Sequence, residues 1–305
     1  MINGGSMTST AQNRSARVAL IALLGGAVGI AFAPIFVRLS ELGPSATAFW
    51  RLALALPPIW LWMTLERRRT VGLRRPSRAS DYRWLVAAGL FFACDLAVWH
   101  WSIKLTSVAN ATLLANATPI FVTLAAWLWF GERFTATFLL GTAMAFAGAI
   151  ILTGTSIRLS VQHLLGDALG LLTAVFYAGY ILAVKELRDD FSTATILTWS
   201  GAVSAALLLP IALLSGESLV AFTSVGWAVL IGLALISQVG GQGLITYALA
   251  HLPAAFSSVG LLLQPAVAAV LAWIILGEPI GIWQALGGAT MLAGIVLARR
   301  GSRSD

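Results

Sequence analysis

Cysteine occurs once in this chain of 305 residues, at Cys94, so no disulfide can close within it. Lysine occurs only at Lys104 and Lys185, and histidine only at His100, His163 and His251. Charged residues make up 10% of the sequence, against about 25% in an ordinary soluble domain. These shortages exclude function classes. The histidines lie in separate regions without metal-ligand spacing, and no Gly-x-Ser-x-Gly occurs, so no enzyme signature and no metal site is expected. No Gly-Lys-Ser/Thr run is present, which removes the P-loop of a primary pump. Nothing marks the selectivity filter of a channel. The formal charge is +7, but the basic residues fall in short connections and make no continuous face for nucleic acid.

What fills the chain is apolar. Hydrophobic residues are 59% of it and the mean hydropathy is +0.88, more apolar surface than a soluble fold can hide. A transmembrane helix needs roughly 20 apolar residues. Ten runs qualify: 18–38, 46–65, 84–105, 107–130, 134–154, 165–187, 194–215, 226–248, 253–276 and 281–299. The expected fold is an all-α membrane protein. Residues MINGGS ahead of Met7 read as an expression scar. Ala31-Phe32-Ala33 resembles a cleavage site, but the run is too long for a signal peptide and Pro34 follows, so it reads as a retained span.

Basic residues set the orientation. With the N-terminus inside, the inner side receives 15 arginines and lysines, among them Arg67, Arg68, Arg69 and Arg299, and the outer side only Arg38, Lys104 and Arg158. Both termini are therefore expected in the cytoplasm, and the protein in the inner membrane. Trp127 and Trp129 fall near the inner surface and Trp273 and Trp283 near the outer one, as interfacial belts do.

Two segments match each other. TPIFVTLAAWLWFGERFTATFLLGTAMAFAG at 118–148 and QPAVAAVLAWIILGEPIGIWQALGGATMLAG at 264–294 align with a shift of 146 residues. The shift superposes Pro119 on Pro265, Trp127 on Trp273, Gly131-Glu132 on Gly277-Glu278, Gly141 on Gly287 and Gly148 on Gly294. Each half then holds five spans, at 18–154 and 165–299, between tails at 1–17 and 300–305 and across a linker at 155–164. An odd number of spans inverts the second half, and inverted repeats around a central cavity are a mark of secondary transporters.

The paired pattern of Pro, Trp and Gly-Glu closing the fourth span, followed by a glycine-rich fifth span, resembles the drug/metabolite transporter superfamily, EamA type. The bacterial aromatic amino-acid exporters are similar in length and character. The resemblance covers nearly the whole chain. It implies export or exchange of a small molecule without an ATPase domain. Glu132 and Glu278 stand where the family's glutamates stand, and each is read first as a cap for the next helix.

Depth within the spans selects site residues. Asp95 lies near the middle of the third span; His100 is about 7.5 Å further out and about 140° around the helix, so the two do not form a pair. Asn116, Tyr177, Tyr180, Gln238, Gln242 and Gln264 come from other spans at similar depth. Polar groups in hydrocarbon cost several kcal/mol when unpaired, so this layer is expected to face a cavity, with Trp99 and Trp101 beside it. Pro119 and Pro265 are the expected hinges. Asp95 is read as attracting an ammonium group, carrying a proton or pairing with Arg51. Arg51 is read as snorkelling outward in preference to binding ligand. His100 is read as a satisfied polar residue near the surface, with proton relay as the alternative.

These residues are compatible with a zwitterionic amino acid, the substrate that the resemblance suggests. A lipophilic-cation exporter is the alternative, because an acid among aromatics suits a cation. A nucleotide-sugar or other polyanion carrier is disfavoured by the lack of cations inside the spans. No cofactor is expected. The partners are a small molecule and the lipid bilayer; the sequence leaves the oligomeric state open, and a monomer is compatible with it.

Overall fold

The computed structural model describes residues 5–69, 74–106, 108–154, 163–276 and 281–302. The Gly277-Glu278 pair, Arg158 and most of the 155–164 linker lie outside the described residues. All the regular structure described is helical. Ten helices are long and apolar enough to cross a membrane: α1 (Ser15–Leu39), α2 (Pro44–Arg69), α3 (Ala79–Leu105), α4 (Ala111–Trp129), α5 (Ala136–Gly154), α6 (Leu164–Arg188), α7 (Thr193–Leu214), α8 (Ser224–Ala248), α9 (Ala254–Ile275) and α10 (Ile282–Gly301). They coincide with the ten apolar runs to within a few residues.

Several spans are broken, and proline explains where. Proline lacks an N–H and clashes with the carbonyl four residues back. In α4 the helix stops after Ala115 and restarts at Thr118, with Pro119 in its first turn. The carbonyl of Ala115, which no proline N–H can reach, accepts instead from Thr118 Oγ1 at 2.8 Å. In α9 the helix stops after Gly260 and restarts at Leu263, two residues before Pro265. α1 breaks at Phe32, just ahead of Pro34, and α2 breaks between Ala53 and Leu56, ahead of Pro57. α8 departs differently: Leu233–Gln242 forms a π-helix.

Packing follows the small residues. α5 and α10 lie antiparallel and nearly touch backbone to backbone. A Cβ placed on Gly141 would stand 2.2 Å from Ala298 N, one on Gly287 would stand 2.4 Å from Leu152 N, and Gly148 and Gly294 are as tight against Met291 and Ala145. Small residues allow such approach where no hydrophobic force draws helices together in lipid. α3 packs on α6 and α7, and α1 packs on α8. Gly26 and Gly29 of α1 face Gly241 of α8, and Ser237 Oγ donates to Gly29 O at 2.9 Å.

Carboxylates tie the halves together on one membrane face. Glu41, between α1 and α2, accepts from the backbone N–H groups of Phe222 and Thr223 and from the Thr223 hydroxyl, at the start of α8. The Thr223 hydroxyl, with the two backbone donors, holds the Glu41 carboxyl below the usual carboxylate range. Glu217, between α7 and α8, accepts from Ala46 N of α2 at 2.9 Å and from Lys104 of α3 at 3.1 Å. On the opposite face Arg74 pairs with Asp81 at 2.7 Å and with Asp190.

The cap expected of Glu132 is not found. Glu132 is exposed, following Gly131, whose φ of 66° is the left-handed helix stop that glycine favours. The cap of α5 is Thr135, whose Oγ1 accepts from Phe138 N at 3.1 Å. Glu278 lies outside the described residues.

Candidate functional site

A cavity of about 120 Å³ opens among α1, α2, α3, α4, α6, α8 and α9. Its walls gather the breaks. Pro34, Pro119 and Pro265 all line it, with Ala31, Ala115 and Leu261 beside them. Irregular backbone at membrane depth is tolerated where it lines a cavity. The helix breaks and the cavity therefore explain each other.

Most of the residues selected by depth meet there. Asp95, Trp99, Asn116, Tyr177, Gln242 and Gln264 line the cavity, as do Pro119, Pro265 and Arg51. The Asp95 residue is 8% exposed, and no described group donates a hydrogen bond to its carboxylate. An aspartate at a helix centre costs roughly 2.5–3.5 kcal/mol to insert. That cost is bearable here because the side chain faces polar space.

Arg51 corrects the expectation of snorkelling. It is 5% exposed and its Nε donates to Gln238 Oε1 at 3.0 Å. Its guanidinium carbon stands 5.9 Å from the centroid of the Phe92 ring. Phe92 stacks on Tyr180 at 4.6 Å, and Tyr180 on Tyr177 at 5.9 Å. The arginine is thus carried by an aromatic column and an amide, both of which hold it inward. Asp95 and Arg51 make no ion-pair contact with each other, although both face the same space.

Four selected residues do not reach the cavity. Gln238 is buried behind Arg51, and Tyr180 lies within the aromatic column. Trp101 is 42% exposed and turned away, with Lys104 Nζ 5.3 Å from its ring. Trp101 is two residues from Trp99, about 200° around an α-helix, so the two rings cannot share a face. His100 is 1% exposed, its Nδ1 bonded to Leu96 O, and it packs edge-on to Trp99. It is buried, contrary to the expectation of a place near the surface.

The residues that depth alone missed are Phe92 and the hydroxyls of Thr112, Thr118, Thr173 and Ser258, all at the cavity wall. Asn116 Nδ2 donates to Thr112 O at 2.7 Å, which leaves its amide oxygen as an acceptor. The site thus offers one carboxylate, one guanidinium, neutral amides and hydroxyls, and aromatic faces. Among the described residues no cluster of His, Cys, Asp and Glu could hold a metal ion.

Comparison with known proteins agrees with this architecture. A model of the EamA-like transporter family matches residues 17–154 and 164–300. A probable terminal-alkyne amino-acid exporter of Streptantibioticus cattleyicolor is 29% identical over 88% of this chain and 89% of its own. A pseudopaline exporter of Pseudomonas aeruginosa is 28% identical over 67% of each chain. A solved crystal structure, 17% identical, superposes with a TM-score of 0.75 over 96% of this chain and 100% of its own, and so shares the fold. Ten apolar helices and a family match over both halves lead to one conclusion: the chain belongs to the EamA-like transporter family and is a multi-pass membrane transporter of small molecules, a class that in bacteria resides in the inner membrane.

Proposed function

We propose that the protein exports amino acids, including aromatic or hydrophobic ones, as a secondary carrier in which two inverted repeats expose the cavity to each side in turn. One observation carries the substrate reading: Asp95 and Arg51 line one cavity without pairing. A lone organic cation in that space meets the guanidinium, and a lone anion meets the carboxylate. A zwitterion satisfies both. Its ammonium group goes to Asp95 and its carboxylate to Arg51, while Trp99, Tyr177 and Phe92 offer surface to an apolar side chain. The likeness to an amino-acid exporter points the same way.

The mechanism rests on pairing and breaks. α1 meets α8 and α3 meets α6, the two contacts that a two-fold exchange of five-span halves interconverts. α5 and α10, the fifth spans of the two halves, lie antiparallel. These contacts support inversion. Pro119 and Pro265 stand at the broken points of α4 and α9 and serve as the hinges. The halves rock about them, with both termini in the cytoplasm, an orientation the distribution of basic residues supports.

Thiol labelling tests the reading. In a Cys94→Ala background, a cysteine at Thr112 or Gln264 is expected to react with a small thiol reagent, and phenylalanine is expected to slow that reaction. Labelling that no amino acid slows would contradict the substrate reading. The same reagent applied to one membrane side should reach a cysteine at Glu132 or at Glu278, but never both. Same-side reaction overturns the inversion.

A further inference from the structure

We infer that Gln238 is a positioning residue that aims the Arg51 guanidinium and so sets the carrier's preference for substrates bearing a carboxylate. The inference rests on the reading of Arg51 as the carboxylate site. Gln238 does not line the cavity and is 2% exposed. Its role is therefore exercised through the arginine it holds.

The donors of Arg51 divide between the fold and a ligand. A guanidinium has five N–H donors in a rigid fork and no acceptor. Here Nε is taken by Gln238 Oε1 at 3.0 Å. The two terminal nitrogens make no bond to a described carboxylate, and they are the pair able to hold a ligand's carboxylate end-on. Gln238 thus takes up Nε and leaves the end-on, two-pronged grip of the terminal nitrogens for a ligand. Phe92 flanks the guanidinium at 5.9 Å. Ring and amide together fix a long side chain that would otherwise lose rotamer freedom on binding.

The placement of Gln238 is itself built. It lies in the π-helix Leu233–Gln242, and its neighbour Ser237 is anchored to Gly29 O of α1. π-turns inside helices concentrate at functional sites. Arg51 belongs to α2 and Gln238 to α8, so the bond also joins the two halves beside the cavity. Rocking of the halves changes the aim of the guanidinium, which gives a carboxylate different affinities in different states.

The test is titration of the purified full-length protein with phenylalanine and with phenethylamine, which lacks the carboxylate. The wild type is expected to prefer phenylalanine. Gln238→Leu is expected to cut that preference by about tenfold, the worth of a hydrogen bond to a charged group, while phenethylamine binds as before. A merely structural role would weaken both ligands together. Gln238→Glu preserves volume and an acceptor but supplies a competing carboxylate, so it too should lose the preference. If Gln238→Leu fails to fold, this second variant decides. Full preference retained in either folded variant overturns the inference and leaves the substrate reading standing. A wild type with no preference removes the substrate reading and this inference with it.

Discussion

Asp95→Asn is expected to slow amino-acid transport by about tenfold or more, because a hydrogen bond to a charged group is worth roughly 1.5–3 kcal/mol. The substitution keeps size and shape and removes the charge. The carboxylate makes no bond to a described donor, so its loss orphans no partner in the fold. Insertion and folding should be unchanged, or slightly improved, since an amide costs less to place in a membrane than a carboxylate. Uptake into liposomes, with gel filtration to confirm a monodisperse protein, separates the two effects. A well-folded Asp95→Asn protein with wild-type flux ends the role assigned to this residue. Arg51 must stay sound for the comparison, and it does, because its bond is to Gln238.

The second large effect concerns stability. Gly148→Val is expected to destabilise the protein by at least the ~1–3 kcal/mol usual for overpacking. A Cβ at this position would stand 2.3 Å from Met291 N and 2.7 Å from Gly287 O, both backbone atoms that cannot rotate away. α5 and α10 would have to separate along their length, losing the neighbouring contacts at Gly141, Gly287 and Gly294 as well. The control is Gly288→Ala, where a Cβ meets only Leu152 Cδ1 at 3.7 Å, an ordinary contact. Removing a helical glycine there gains up to about 1 kcal/mol. Thermal unfolding in detergent should therefore show Gly148→Val far below the wild type and Gly288→Ala level with it or above. Equal melting of both variants contradicts the packing described.

How much of this was legible from sequence depends on how local the cause is. Spans are legible because length and apolarity are properties of one segment, and all ten runs became helices. Asp95, Asn116, Tyr177, Gln242 and Gln264 were legible because depth follows from residue count along a span. The helix breaks were legible at Pro119 and Pro265, since proline removes a bond wherever it stands. Arg51 was misread for a non-local reason. Whether an arginine snorkels or turns inward depends on what waits inside, and its partner is Gln238, 187 residues away. Trp101 was a different failure, since the helical period alone separates it from Trp99. The cavity hydroxyls were hidden because Ser and Thr in helices commonly bond their own backbone, as Thr142 does to Phe138 O at 2.9 Å. The π-helix in α8 has no signal in its residues at all, and neither does the burial of His100.

The burial of His100 bears on coupling. Its Nδ1 is engaged by Leu96 O and its ring is shut away from the cavity by Trp99. Among the described residues Asp95 is the carboxylic acid that lines the cavity, which makes it the residue we propose for any proton coupled to the substrate. On the proposed function, substrate and any coupled proton would meet at this one carboxylate, the simplest arrangement by which binding of one releases the other.

The central claim is that one cavity, holding separate opposite charges, carries zwitterions. It is tested most directly by uptake into liposomes containing the purified protein, using a panel of labelled amino acids and one quaternary-ammonium dye, with and without a proton gradient. The account predicts saturable amino-acid uptake, strongest for aromatic and hydrophobic side chains, and little dye uptake, because Arg51 repels a lone cation. Dye uptake without amino-acid uptake would contradict it and make Asp95 a cation site.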